Sequence, residues 1–83
     1  MLTRADEMPR ITPLSWKVLE CIFLKYGFEF VRQASSHRVY EKDGVLRPVI
    51  IPVYDAISAE ITTGLIRTAG MTREEFFALL KDC

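Results

Sequence analysis

"HRVYEKDGVLRPVIIPV", residues 37–53, has two stretches rich in β-branched and aromatic residues on either side of an Asp-Gly pair. Such residues are enriched in strands, and Asp-Gly is a strong signal for a turn between antiparallel strands. We therefore predict a hairpin that turns at residues 42–44. Pro48 and Pro52 lack the N–H that a strand ladder uses. This favours either an edge position for the second strand, over residues 47–53, or prolines confined to its outward-facing N–H side.

The residues before this hairpin predict a helix and a further strand. Thr12 can cap a helix N-terminus, and Pro13 suits the first helical position. Apolar residues then recur at helical spacing as far as Gly27, which predicts the end of the helix. The stretch "FEFVRQ" alternates in the manner of a strand, with Phe28 and Phe30 on its inner face.

The residues after the hairpin predict one or two helices. "SAEITTGLIRTAG" runs from Ser58 to Gly70 as a helix with a glycine stop, and Thr72 with Glu75 forms a capping box ahead of "FFALL". The order is helix, three antiparallel strands, then one or two helices. We predict an α+β fold in which the helices pack on one face of a small sheet.

The length of 83 residues fits a single domain. We place that domain at residues 11–83, behind an N-terminal arm at residues 1–10 that need not be ordered. The apolar runs are far shorter than the ~20 residues of a membrane span, and the N-terminus has no apolar core of a signal peptide. The expected location is the cytoplasm, with no membrane partner. The formal net charge of +0 argues against a surface that binds nucleic acid all round.

The chain has two cysteines, Cys21 and Cys83, which are candidates for a disulfide or for metal binding. Neither lies in a spacing typical of a zinc site or of a disulfide framework. We expect one buried thiol and one thiol at a frayed terminus, with no bound metal and no cofactor.

His37 is the only histidine of the chain. Imidazole is the side chain whose ordinary pKa, about 6.5, lets it give and take protons near neutral pH. If residues 35–41 form one strand, alternation groups His37 with Ser35 and places Ser36 and Arg38 on the opposite face. A lone histidine is usually structural or simply solvated, so the pattern alone does not assign it a role.

A resemblance to a known family enters through motifs in a fixed order. They are "GFE" at 27–29, "RQ" at 32–33, "SH" at 36–37, "PV" at 52–53, "AG" at 69–70 and "TREEF" at 72–76. No single motif is specific, but their order and spacing resemble the HicA family, the small toxins of HicAB toxin–antitoxin pairs. The resemblance extends from residue 8 to residue 80.

The resemblance implies a fold like that of the double-stranded RNA-binding domain and a ribosome-independent mRNA endonuclease activity. It implies mRNA as the substrate and a HicB-like antitoxin as the protein partner. The family's catalytic histidine corresponds to His37. The residues expected to contact substrate around it are Ser35, Ser36, Arg38, Arg32 and Tyr54.

The sequence departs from the family pattern at two positions, Ser35 and Tyr54. Ser35 stands where the family has the glycine of "G-S-H", so if that glycine has a backbone only glycine tolerates, the loop here must differ. Tyr54 stands where the family often has a second histidine, which leaves a phenol in place of an imidazole. These departures leave open whether the endonuclease is attenuated, differently specific or inactive. Two alternative functions also stay open: a non-catalytic RNA-binding module of the same fold, and a protein–protein module bound to a HicB-like partner.

Overall fold

The computed structural model describes residues 10–83, so the arm predicted at residues 1–10 lies, except for Arg10, outside the described residues. Three helices and three strands follow in the predicted order and confirm the α+β fold. The elements are α1 Trp16–Lys25, β1 Glu29–Ala34, β2 His37–Glu41, β3 Val49–Pro52, α2 Ala59–Ala69 and α3 Arg73–Leu80.

Helix α1 begins later than the sequence predicts. Its N-cap is Ser15, whose hydroxyl accepts from the Lys17 backbone N–H, and not Thr12. The reason is a tertiary contact that the sequence does not reveal. Leu14 pairs with Ile57 through two backbone hydrogen bonds of 3.1 and 2.7 Å, so the chain remains extended until Ser15.

The strands form one antiparallel sheet in the order β1-β2-β3, so the predicted edge position of β3 is confirmed. The Asp-Gly turn is present, with Gly44 at φ +88°. The strand after it begins at Val49, later than the predicted residue 47, because an irregular connection follows the turn. β1 is the other edge strand, and a β-bulge interrupts its register between Phe30 and Arg32.

The sheet has two different faces. Tyr40, Val49 and Ile51 belong to the buried core shared with the three helices, and Arg38 pairs directly with Ile51. Because directly opposed residues share a face, we name this the covered face, lined by Arg38, Tyr40, Val49 and Ile51. Alternation places the other set on the opposite side, where Arg32, His37 and Ile50 are exposed and Val39 is 6% exposed. We name that side the open face, lined by Arg32, His37, Val39 and Ile50.

The two phenylalanines predicted to point inward differ in burial. Phe28 is 2% exposed and lies in the core, whereas Phe30 is 44% exposed. Phe30 does face the covered side, since it pairs with Tyr40 and their rings lie 5.7 Å apart. It remains accessible because β1 is an edge strand with no neighbour beyond it.

The two C-terminal helices form as the sequence predicts. Ser58 caps α2, and Gly70 ends it in a left-handed conformation. Thr72 and Glu75 form the capping box of α3. The Tyr26 hydroxyl also donates to the Glu75 carboxylate at 3.1 Å, which ties α3 to the end of α1.

The prediction of two free thiols is wrong. Cys21 of α1 and Cys83 form a disulfide, with their Cα atoms 5.9 Å apart across a sequence separation of 62 residues. No local spacing signals this bond. It forms because α3 packs against α1 and returns the end of the chain to the middle of that helix.

Candidate active site

A two-residue turn precedes the histidine. Ala34 of β1 pairs with His37 of β2, so Ser35 and Ser36 form the tight turn between these strands. Ser35 has φ +58° and is the one non-glycine residue with positive φ within residues 10–83. Tight hairpin turns commonly require positive φ at the first central position, where glycine is usual. Ser35 therefore adopts the glycine-like backbone itself, at a cost of roughly 1–2 kcal/mol.

This turn changes the expected grouping of side chains. Ser35 lies in the turn and not in a strand, so the alternation that would place it on the same face as His37 does not apply. The sequence signal that was missed is the pair of small polar residues between two strand-like stretches.

Both carbonyl groups of the turn accept hydrogen bonds. The Gln33 side-chain amide donates from Nε2 to the Ser35 carbonyl at 3.0 Å. The Val53 backbone N–H donates to the Ser36 carbonyl at 2.8 Å. The turn is therefore held from β1 on one side and from the end of β3 on the other.

His37 is exposed at the first position of β2, on the open face and opposite Pro52. Arg32 pairs with Val39 and so lies on the same face. It is a diagonal neighbour of His37, a relation that places residues roughly 7–8 Å apart and within reach of a long side chain. The structure thus brings one imidazole and one exposed guanidinium side chain to the same open surface.

Arg38 lies on the covered face, although it is next to His37 in the chain. Its guanidinium donates to Glu20 at 2.9 Å, to the Tyr40 hydroxyl at 2.9 Å and to the Gln33 Oε1 at 2.7 Å. It also lies 4.0 Å from the Phe30 ring centroid, a favourable cation–π distance. Arg38 is not brought together with His37.

The network around Arg38 shifts two ionisation equilibria. The hydrogen bond to the Tyr40 hydroxyl raises the pKa of Arg38 above its ordinary value. Burial, together with the bond that the hydroxyl donates to Glu20, raises the pKa of Tyr40 to about 12. Arg38 and Tyr40 therefore keep their protons across the physiological pH range, and the network stays intact there.

Tyr54 lies near the turn because the chain runs past it after β3. Tyr54 is 48% exposed, and its carbonyl accepts from the Trp16 backbone N–H at 3.0 Å. This contact brings the first turn of α1 to the same end of the sheet. Lys17, exposed in that turn, is a further cation at this end of the sheet, and no motif in the sequence marks it.

A surface concavity lies away from these residues. It has a volume of about 510 Å³ and is lined by residues at the opposite end of the sheet, among them Gly27, Glu29, Glu41, Lys42 and Leu46. None of the site residues predicted from the sequence lines it. Within residues 10–83, no group of three or more His, Cys, Asp or Glu residues is placed to hold a metal ion.

The family assignment rests on a comparison over most of the chain. A family model described as "HicA toxin of bacterial toxin-antitoxin" matches residues 16–71. The chain belongs to the HicA toxin family. Membership makes it a toxin of a toxin–antitoxin system, with an antitoxin as its partner. The HicA match includes the turn, His37 and Tyr54, and it stops before α3.

Two further findings accompany the HicA assignment. No curated protein matches the chain. Across the part of the chain that the structure describes, no helix is long and apolar enough to cross a membrane.

Proposed function

We propose that this HicA toxin is a ribosome-independent mRNA endonuclease of the cytoplasm, with His37 as its catalytic residue. The observation that supports this most directly is the exposed imidazole on the open face, beside a turn held by two hydrogen bonds. RNA supplies its own nucleophile, the 2′-hydroxyl. The protein then needs to move protons and to stabilise charge on the phosphate.

The proposed reaction forms a bond between the 2′-oxygen and phosphorus and breaks the bond to the 5′-oxygen. His37 either accepts the proton of the 2′-hydroxyl or donates one to the leaving 5′-oxygen, and solvent serves the other transfer. The products are a 2′,3′-cyclic phosphate and a 5′-hydroxyl. Proton transfer by a positioned side chain typically contributes about 10²–10⁴-fold to the rate.

The other predicted residues have different roles in this proposal. Arg32 shares the open face with His37 and would stabilise negative charge on the phosphate. Ser35, Ser36 and Tyr54 would contact the RNA from the end of the sheet. Arg38 faces the helices, with its donors directed at Glu20, Gln33 and Tyr40, which favours a structural contact over a phosphate contact.

The partner in this proposal is a HicB-like antitoxin that covers the open face. Ile50 is 44% exposed on that face and supplies apolar area beside His37 and Arg32. A protein bound there would exclude RNA from the histidine without changing the fold.

The decisive experiment compares purified wild-type protein with His37→Ala on a long mRNA, with product ends analysed for 2′,3′-cyclic phosphate. We expect the cleavage rate to fall by about 10²–10⁴-fold while the melting temperature stays close to wild type, because the side chain is exposed. Glu60→Ala, at an exposed site on α2, is the matched control and should cleave as wild type does.

Two results would contradict the proposal. Equal cleavage by wild type and His37→Ala removes the histidine from the reaction. Salt-sensitive RNA binding by a folded wild-type protein that never cleaves identifies a non-catalytic RNA-binding module instead.

A further inference from the structure

The turn before His37 has a backbone that a serine adopts only with support. Ser35 has φ +58°, in the left-handed region that favours glycine. The direction of the His37 side chain depends on this turn, because His37 is the residue that follows it. Whatever holds the turn therefore also fixes the histidine.

Gln33 is the side chain that holds Ser35. Its Nε2 donates to the Ser35 carbonyl at 3.0 Å, and its Oε1 accepts from Arg38 at 2.7 Å. Because both Nε2 and Oε1 of the Gln33 amide form hydrogen bonds, the amide has a single orientation, with Nε2 directed at the turn. Gln33 is exposed and contributes little to the core.

Contacts on the covered face fix the position of the Arg38 side chain. Two of its nitrogens donate to the Glu20 carboxylate and the Tyr40 hydroxyl, each at 2.9 Å. The Tyr40 hydroxyl donates to the same carboxylate at 2.5 Å. A continuous series of hydrogen bonds thus runs from α1, through the sheet edge, to the carbonyl of Ser35.

We infer that Gln33 and Arg38 are positioning residues for His37. Together, Gln33 and Arg38 hold the Ser35–Ser36 turn from the opposite side of the sheet. This inference rests on the proposed function, because it assigns a purpose to the direction of His37. Arg38 then serves the reaction without touching RNA. A misplacement of about 1 Å at a reacting group can cost about 10²-fold in rate, so this support has a measurable consequence.

The test uses Gln33→Glu, which keeps an oxygen acceptor for Arg38 but removes the donor to the Ser35 carbonyl. We expect kcat to fall by about 10- to 100-fold, with KM within about twofold of wild type. Adding Ser35→Gly to this variant should restore most of kcat, because glycine adopts positive φ without support. Glu29→Gln, at an exposed site on the same strand, is the control and should keep the wild-type kcat.

The catalytic role of His37 and the positioning role of Gln33 and Arg38 are contradicted by different results. His37→Ala that cleaves at the wild-type rate overturns both the proposed function and the inference. Inactive His37→Ala together with a wild-type kcat for Gln33→Glu overturns the inference alone. A Gln33→Glu variant that loses thermal stability and kcat together, with no recovery on adding Ser35→Gly, shows a merely structural role and also overturns it.

Discussion

Ile50 and Ile51 are neighbours in β3 with the same side chain, yet they lie in different environments. Ile51 is 0% exposed on the covered face, whereas Ile50 is 44% exposed on the open face. The same contrast separates Arg38, which bonds to Glu20, Gln33 and Tyr40, from His37, which is exposed. The covered face thus holds most of the buried side chains of the sheet, whereas on the open face Val39 is buried and Arg32, His37 and Ile50 are exposed.

The largest expected effect separates the two isoleucines. Ile51→Ala should lower the free energy of unfolding by about 2–5 kcal/mol, because it leaves a cavity in the core. Ile50→Ala should lower it by about 1 kcal/mol or less, since much of its area is already in water. Urea unfolding of both variants measures the difference, and equal losses would show that the open face is also packed.

Loss of the Cys21–Cys83 disulfide is expected to have the next largest effect. This bond lies among the helices on the covered face of the sheet. Reduction, or Cys83→Ser, should lower the free energy of unfolding by about 2–4 kcal/mol, because the bond restricts the unfolded chain over a separation of 62 residues. Unfolding with and without a reducing agent measures this loss. Reductant should leave Cys83→Ser unchanged, and identical wild-type curves in both conditions would count against the bond.

The smallest effect is a pH dependence at the capping box of α3. The Thr72 backbone N–H donates to the Glu75 carboxylate, and this bond, with the one from the Tyr26 hydroxyl, lowers the pKa of Glu75 below its ordinary value of 4.5. A pKa that is lower in the folded state stabilises the fold above the ordinary value. That contribution is lost as pH falls through the lower folded pKa.

The measurement compares the free energy of unfolding of wild type and Glu75→Gln as a function of pH. The difference between them should be constant above about pH 5 and should shrink as the solution becomes more acid. Glu74→Gln, at the neighbouring glutamate, is the control. A difference that does not change with pH would show that the charge of Glu75 is not what stabilises the helix start.

Local signals in the sequence predicted most of the fold. Ser58, Gly70 and the Thr72–Glu75 capping box act within a few residues of where they lie, so the last two helices could be predicted from pattern alone. Contacts between distant residues could not. The bridge between Leu14 and Ile57 moved the start of α1 to Trp16, and the Cys21–Cys83 bond has no local signature.

The candidate site was predictable only in part, for a related reason. His37 could be selected as the only imidazole, and its place on the face opposite Arg38 follows from alternation. The turn could not be predicted in the same way, because Ser35 has a positive φ, and side-chain alternation applies only to residues in extended strands. The role of Gln33 depends on bonds to Arg38 and to the Ser35 carbonyl, which a list of residue types does not contain.

The Cys21–Cys83 bond also closes residues 21–83 into a covalent ring that contains the whole sheet and both C-terminal helices. Leu46, 96% exposed in the connection between β2 and β3, is an accessible point on that ring for a protease. A cut there opens the ring without dividing the molecule. The nicked toxin would migrate as one species in a non-reducing gel and as two fragments after reduction, so its integrity has to be assessed under both conditions.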